Sequence, residues 1–167
     1  GEFSAAVRQV NGQPDFELRA QRQGFDEALF ARVAAHPGVA LASAVIEVMQ
    51  QEQLVERSHQ TGLFLKKKLE ELMSRHPSVG DVRSIGLFAA IEVVKNRQTK
   101  EPMAPYGSNS PEMVALRRYL LDNGVYLYTH WNVILIIPPL IVSEEQLAEG
   151  IKVIDEALFI TDKAVNG

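Results

Sequence analysis

Apolar positions cluster most tightly in residues 125–143, VYLYTHWNVILIIPPLIVS, where a strand-length run meets two prolines and a helix cap. Residues 133–137 are β-branched or leucine throughout, which predicts a strand buried on both faces. Pro138 and Pro139 end it, since neither can donate to a ladder and each holds the preceding residue extended. Ser143 then offers a hydroxyl as helix cap, Glu144 and Glu145 place negative charge at the positive end of the helix, and Gln146 completes a capping box. Leu147, Ile151, Ile154, Ala157 and Leu158 recur on one face and carry that helix to about residue 160.

Upstream, residues 4–15 are polar and small, with Asn11-Gly12 and Pro14 as breakers, and predict a lead-in or one short strand. Phe25, Leu29, Phe30 and Val33 predict a short amphipathic helix over residues 25–35, interrupted by His36-Pro37-Gly38. Residues 39–49, VALASAVIEVM, are small or apolar nearly throughout, the pattern of a central buried helix. Next, Leu54, Ser58, Thr61, Leu65, Leu69 and Leu72 share a helix face while Lys66, Lys67, Lys68, Glu70 and Glu71 point out, and His76-Pro77 stops the helix.

Ile85, Leu87, Ala89, Ile91 and Val93 alternate around Gly86, which reads as strand, tight turn or bulge, strand. Residues 95–109 predict a long exposed loop. Ser110 and Pro111 open a helix with Met113, Leu116, Tyr119 and Leu120 facing in, Asn123-Gly124 closes it, and residues 125–128 begin another strand. This order of elements predicts an α+β fold, a two-layer sandwich in which helices cover a mainly antiparallel sheet. Ile85, Leu87, Ile91, Ile134, Ile136, Val45 and Leu158 are expected to share its core.

A chain of 167 residues with 46% apolar content can bury one sizeable core. The excess of 21 acidic over 17 basic residues, without a basic stripe, weighs against nucleic acid as a partner. The absence of cysteine removes disulfides and thiolate metal sites and fits a cytoplasmic setting. No apolar run approaches the roughly 20 residues of a membrane span, so no membrane partner is expected.

Candidate chemistry is sparse: no GxSxG, HExxH or Walker motif is present, and no metal site is expected. His59 and His76 read as helix surface or helix end, and the Lys66 to Lys68 run as solvated surface. His36 and His130 are placed where a ligand could be reached, while Trp131 reads as core or interface. Arg83 lies in an otherwise apolar strand pair, where a cation either pairs with Asp81 or Glu92 or waits for an anionic ligand.

Two stretches say more. HPGVALASAVIEVMQQEQLVERSHQTGLFLKKKLEELMSRHPSVGDVRSIGLFAAIEVV and GVYLYTHWNVILIIPPLIVSEEQLAEGIKVIDEAL resemble the C-terminal part of class III pyridoxal-phosphate aminotransferases, in particular taurine:pyruvate and other ω-amino-acid:pyruvate members. The resemblance covers residues 36–164, a small-domain-like segment. It leaves residues 1–35 unlike the family, as a tag remnant at Gly1-Glu2-Phe3, a linker and a short helix.

The resemblance implies a fold type I enzyme whose large domain holds the cofactor through a lysine Schiff base while the small domain closes over the substrate. No family-pattern lysine precedes His36, and Arg32 stands where the family commonly has a threonine that reaches the cofactor phosphate. Lys66, Lys67, Lys68, Lys95, Lys100, Lys152 and Lys163 all fall at small-domain positions. The chain is therefore expected to carry no catalytic residue and to bind no pyridoxal phosphate by itself. Relatives often have arginine before the Trp-Asn pair to take a substrate carboxylate or sulfonate. Here that residue is His130, shorter and without a fork. By resemblance, His130 and Arg83 are the candidate substrate contacts.

The implied function is amino-group transfer from an ω-amino acid to a 2-oxo acid such as pyruvate, by an enzyme of which this chain is an inactive fragment. The alternative is a non-catalytic module or chimera that self-associates or binds a partner. With the large domain absent, the apolar surface of residues 39–49 predicts a homodimer through residues 25–49.

Overall fold

The computed structural model describes Ala35 and residues 37–166, so the lead-in of residues 4–15 and all but the last residue of the helix predicted over residues 25–35 lie outside the described residues. The chain divides into two units, Gly1–Glu52 and Gln53–Gly167. In the first, helix α1 (Pro37–Gln51) forms where the small and apolar run predicts it, with proline in its opening turn, where a missing N–H costs nothing. Its expected burial is not observed: Val45, Ile46 and Val48 are 52%, 44% and 46% exposed. Val45 is therefore not a core residue. Small apolar composition favours a helix, but it does not specify what packs on it.

The second unit opens with helix α2 (Leu54–Arg75), whose inward face is Leu54, Thr61, Gly62, Leu65, Leu69 and Leu72. Strands β1 (Val79–Ile85) and β2 (Phe88–Asn96) follow as a hairpin, with β3 (Glu101–Pro102) as a short addition to β2. Helix α3 (Pro111–Asp122), strands β4 (Tyr128–His130) and β5 (Val133–Ile136), and helix α4 (Glu144–Asp162) complete it. The sheet runs β1-β2-β5-β4 with every pair antiparallel. Helices pack on it, as the α+β two-layer reading requires.

The core holds Leu87, Ile91, Ile134, Ile136 and Leu158 as expected, but Ile85 is 85% exposed. The cause is register. Ile85 pairs with Phe88 across the Gly86-Leu87 turn, and directly opposed residues share a face, so the inward positions change parity between the strands. Gly86 makes the turn possible with a φ of 54° and brings its backbone against α2. A Cβ on Gly62 would lie 2.5 Å from the Gly86 Cα.

Two further expectations are corrected. The loop over residues 95–109 is not wholly exposed, because the Met103 amide donates to the Val93 carbonyl at 3.0 Å and Met103 and Ala104 are fully buried. Strand β5 is buried on one face only: Ile134 and Ile136 are covered, Val133 and Leu135 are half-buried, and Ile137 beyond them is 62% exposed. A run of β-branched residues looks the same whether one face or two are covered. The caps form as predicted, with Ser110 Oγ accepting from the Met113 amide at 3.2 Å and a full Ser143/Gln146 capping box on α4.

His76, expected at a helix surface or end, does cap α2 but is completely buried. Its Nδ1 lies 2.7 Å from Asp162 Oδ2 and its Nε2 lies 2.7 Å from Asp155 Oδ1. Asp162 also accepts from the Ser78 hydroxyl and amide, and Arg75 closes the cluster on Asp155. Arg97 donates to the carbonyls of Met73, His76 and Val79 around the same corner. The end of α2 and the end of α4 are thus joined by charge-assisted bonds in a protected place.

Candidate functional site

Because the helices cover one face of the sheet, the other carries the side chains of Asp81, Arg83, Ala90, Glu92, Val133, Leu135, Tyr128 and His130 in register. Both predicted substrate contacts lie on this outer face, but at opposite edges. Arg83 is on β1 and His130 on β4, three strand spacings apart, or roughly 14 Å. The structure does not bring them together.

Arg83 has partners already. Its Nε donates to Asp81 Oδ2 at 2.5 Å and its Nη2 to Glu92 Oε2 at 3.2 Å. The hydrogen bond to Asp81, and then the Asp81 charge, raise the Arg83 pKa above its ordinary value. The ion-pair alternative read from the sequence is the one observed. At 74% side-chain exposure the pair is screened and contributes little.

His130 ends β4 and opens a tight turn, Trp131-Asn132, into β5. Asn132 is buried and fixes the turn to β2: its carbonyl accepts from the Val93 amide at 2.7 Å, and its Nδ2 donates to the Val93 carbonyl at 3.1 Å. The adjoining ring of Trp131 sits 3.9 Å from His130 and 4.0 Å from Tyr106, centroid to centroid. Tyr128, two residues before His130 and so on the same face, stacks on the imidazole at 5.5 Å. The result is a row of four rings, Tyr128, His130, Trp131 and Tyr106.

Sequence reasoning singled out only His130 from this row and assigned Trp131 to core or interface. Tyr106 carries no such signal, because it lies in the segment that reads as a long exposed loop and is itself 86% exposed. The signal available was Asn132 directly after Trp131, a turn residue between two apolar strands.

A cleft of about 410 Å³ opens beside the row, lined by Tyr126, Tyr128, Ile137, Pro139, Leu147 and Ile151 among others. It is apolar and contains no lysine. The fit of pyridoxal phosphate can be judged from the described lysines. Lys66 and Lys68 pair with Glu70 and Glu71 on the outside of α2, while Lys67, Lys100, Lys152 and Lys163 are exposed and Lys95 is half-buried. None projects into an enclosed site, so the described residues do not fit that cofactor. Among the described residues no cluster of His, Cys, Asp or Glu is arranged to hold a metal ion. Among them, too, no helix is long and apolar enough to cross a membrane.

Comparison with known proteins gives this fold its family. The family model for aminotransferase class-III matches residues 36–158. A probable 4-aminobutyrate aminotransferase of Bacillus subtilis is 34% identical over 124 residues, which cover 72% of this chain and 27% of the relative. A taurine:pyruvate aminotransferase of Bilophila wadsworthia is 36% identical over 140 residues, 83% of this chain and 30% of the relative. Among solved structures, the taurine:2-oxoglutarate aminotransferase of Bifidobacterium kashiwanohense, in complex with PLP and glutamate, superposes with a TM-score of 0.71 at 32% identity. That match covers 77% of this chain and 29% of the other. This chain belongs to the class III aminotransferases, and it spans between 27% and 31% of the length of the first curated relatives it matches.

Proposed function

We propose that residues 36–164 are the small domain of a pyridoxal-phosphate-dependent aminotransferase that moves an amino group from an ω-amino acid to a 2-oxo acid such as pyruvate. Residues 1–35 are a segment outside that domain. The supporting observation is the placement of His130 on the outer face of a sheet whose whole extent lies in the family match. In this reading the cofactor and its lysine are supplied by a domain other than this one, and the chain alone turns nothing over. Arg83, held by Asp81 and Glu92, is the weaker of the two substrate contacts.

The test is complementation. The purified chain, mixed with pyridoxal phosphate, taurine and pyruvate, is expected to form no alanine above the free-cofactor rate. Addition of the lysine-bearing domain of a taurine:pyruvate relative, cut free of its own small domain, is expected to restore turnover. His130→Ala in this chain should then raise KM more than it lowers kcat. Turnover by the chain alone, or no turnover with the added domain, would reject the reading.

One observation favours self-association as a second reading: the apolar side chains of Val45, Ile46 and Val48 are exposed along α1. A cytoplasmic homodimer through this helix is expected, and light scattering showing a monomer of 18.6 kDa at micromolar concentration would remove it.

A further inference from the structure

The β1-β2-β5-β4 sheet has two edges, and they are finished differently. On β1 the edge carries charge at Asp81 and Arg83 and a register shift between Val79 and Asp81, the devices by which an exposed strand discourages pairing. On β4 there is none of this. Residues 125–130, VYLYTH, contain no proline and no Asp, Glu, Lys or Arg. Val125, Leu127 and Thr129 are half-buried while Tyr126, Tyr128 and His130 are exposed, so the chain is extended over the whole stretch although only Tyr128–His130 pair with β5.

The backbone of this edge has groups to spare. The Val93 amide bonds to the Asn132 carbonyl, so on β5 Ile134 and Ile136 turn their amides and carbonyls towards β2, and Val133 and Leu135 towards β4. His130 and Tyr128 face those two and use their own groups within the hairpin, whereas those of Leu127 and Thr129 point outward. Among the described residues they meet no partner.

Beside the edge lies the apolar cleft of about 410 Å³, between residues 125–128, the end of β5 and α4. Gly150 lines it from inside α4, where glycine weakens a helix relative to alanine. On α2, Gly62 has a reason to be glycine, because the Gly86 backbone leaves no room for a Cβ. A Cβ on Gly150 would meet nothing within 4 Å. The space over it is open and has no packing partner.

We propose that the β4 edge and this cleft form one docking groove for an extended apolar peptide of another polypeptide, which adds as a strand beside β4 and sets one apolar side chain over Gly150. The outward amides and carbonyls call for a strand, and the cleft calls for an apolar side chain. Glu149 beside Gly150 and Glu145 a turn earlier are exposed, and no lysine or arginine lines the cleft, so flanking basic residues suit the peptide. A second copy of this chain fits less well. Its own β4 segment packs Val125 and Leu127 against its own core, which leaves no free apolar side chain for the cleft.

The probe is a fluorescein-labelled peptide, KTVLVTK, titrated with the purified chain and read by anisotropy. Saturable binding is expected. Gly150→Leu, which fills the cleft and favours the helix, should melt no lower than the parent and weaken binding about tenfold. Backbone N-methylation of the probe at alternate residues removes donors along one edge only, so of the two possible patterns one should abolish binding and the other retain it. No saturable binding, equal loss with both patterns, or unchanged binding to Gly150→Leu would overturn the proposal. So would a dimer in sedimentation velocity that Gly150→Leu dissociates, since a second copy would then hold the edge. The readout needs no turnover, so it stands or falls apart from the complementation test.

Discussion

Val133 and Ile134 are neighbours in the chain and opposites in the structure. Ile134 points to the helices and is fully buried with Ile91 and Val93, whereas Val133 points to the other side, in a row with Asp81, Glu92 and His130. The inner face is apolar and covered by the helices, apart from the cleft at its β4 edge. The outer face has an ion-pair cluster on one edge, a row of rings on the other, and Ile85, Phe88 and Ile137 exposed. The contrast teaches that burial and exposure are assigned to different sides of the same strands. A residue on the inner face is fixed by what the helices press against it, and one on the outer face is free to be chosen for chemistry.

The sharpest way to break this contrast is a pair of identical substitutions one residue apart. Ile134→Asp is expected to abolish the cooperative thermal transition, because an unpaired buried carboxylate costs several kcal/mol, on the order of the stability of the whole domain. Val133→Asp should retain a cooperative melt near the parent temperature. If both variants melt alike, the two faces are not distinct. Next in size is His76→Ala, which leaves Asp155 and Asp162 without the ring between them. A loss of about 3 kcal/mol in urea unfolding is expected.

Gly62→Ala comes third, since its methyl would meet the Gly86 backbone and force α2 away from the hairpin. About 2 kcal/mol should be lost, with the far-ultraviolet spectrum unchanged. Smallest is Arg83→Ala on the outer face, expected to shift stability by no more than about 0.5 kcal/mol despite its two ion pairs. A loss as large as that of His76→Ala would mean that the outer face is structural after all.

The elements with strong local signals were legible in the sequence. The Ser143/Gln146 box, the Ser110 cap and the leucine face of α2 each depend on spacing within a few turns, and each forms as read. What escaped depends on partners distant in sequence. The burial of His76 requires Asp155 and Asp162, and the position of Tyr106 requires Val93 and Asn132. Ile85 was misplaced for a subtler reason, because alternation was carried straight through a turn that reverses it. At the candidate site, His130 stood out from its place at a strand end, and the resemblance then gave it a role. Its companions in the ring row could not, since no local periodicity joins residues 106, 128 and 131.

The cluster around His76 also bears on the order in which the chain folds. It joins residues 79 and 86 positions apart, while β1 and β2 meet through a tight turn. Contacts that close so long a loop form late, after local hairpins and helices have already gained their energy. The ring between two carboxylates should therefore act as a latch, absent at the folding barrier and present only beyond it. In stopped-flow experiments His76→Ala is expected to leave the refolding rate nearly unchanged and to take its whole effect in faster unfolding. The lifetime of the folded chain against proteases would then be governed by one buried imidazole near the end of α2 rather than by the sheet.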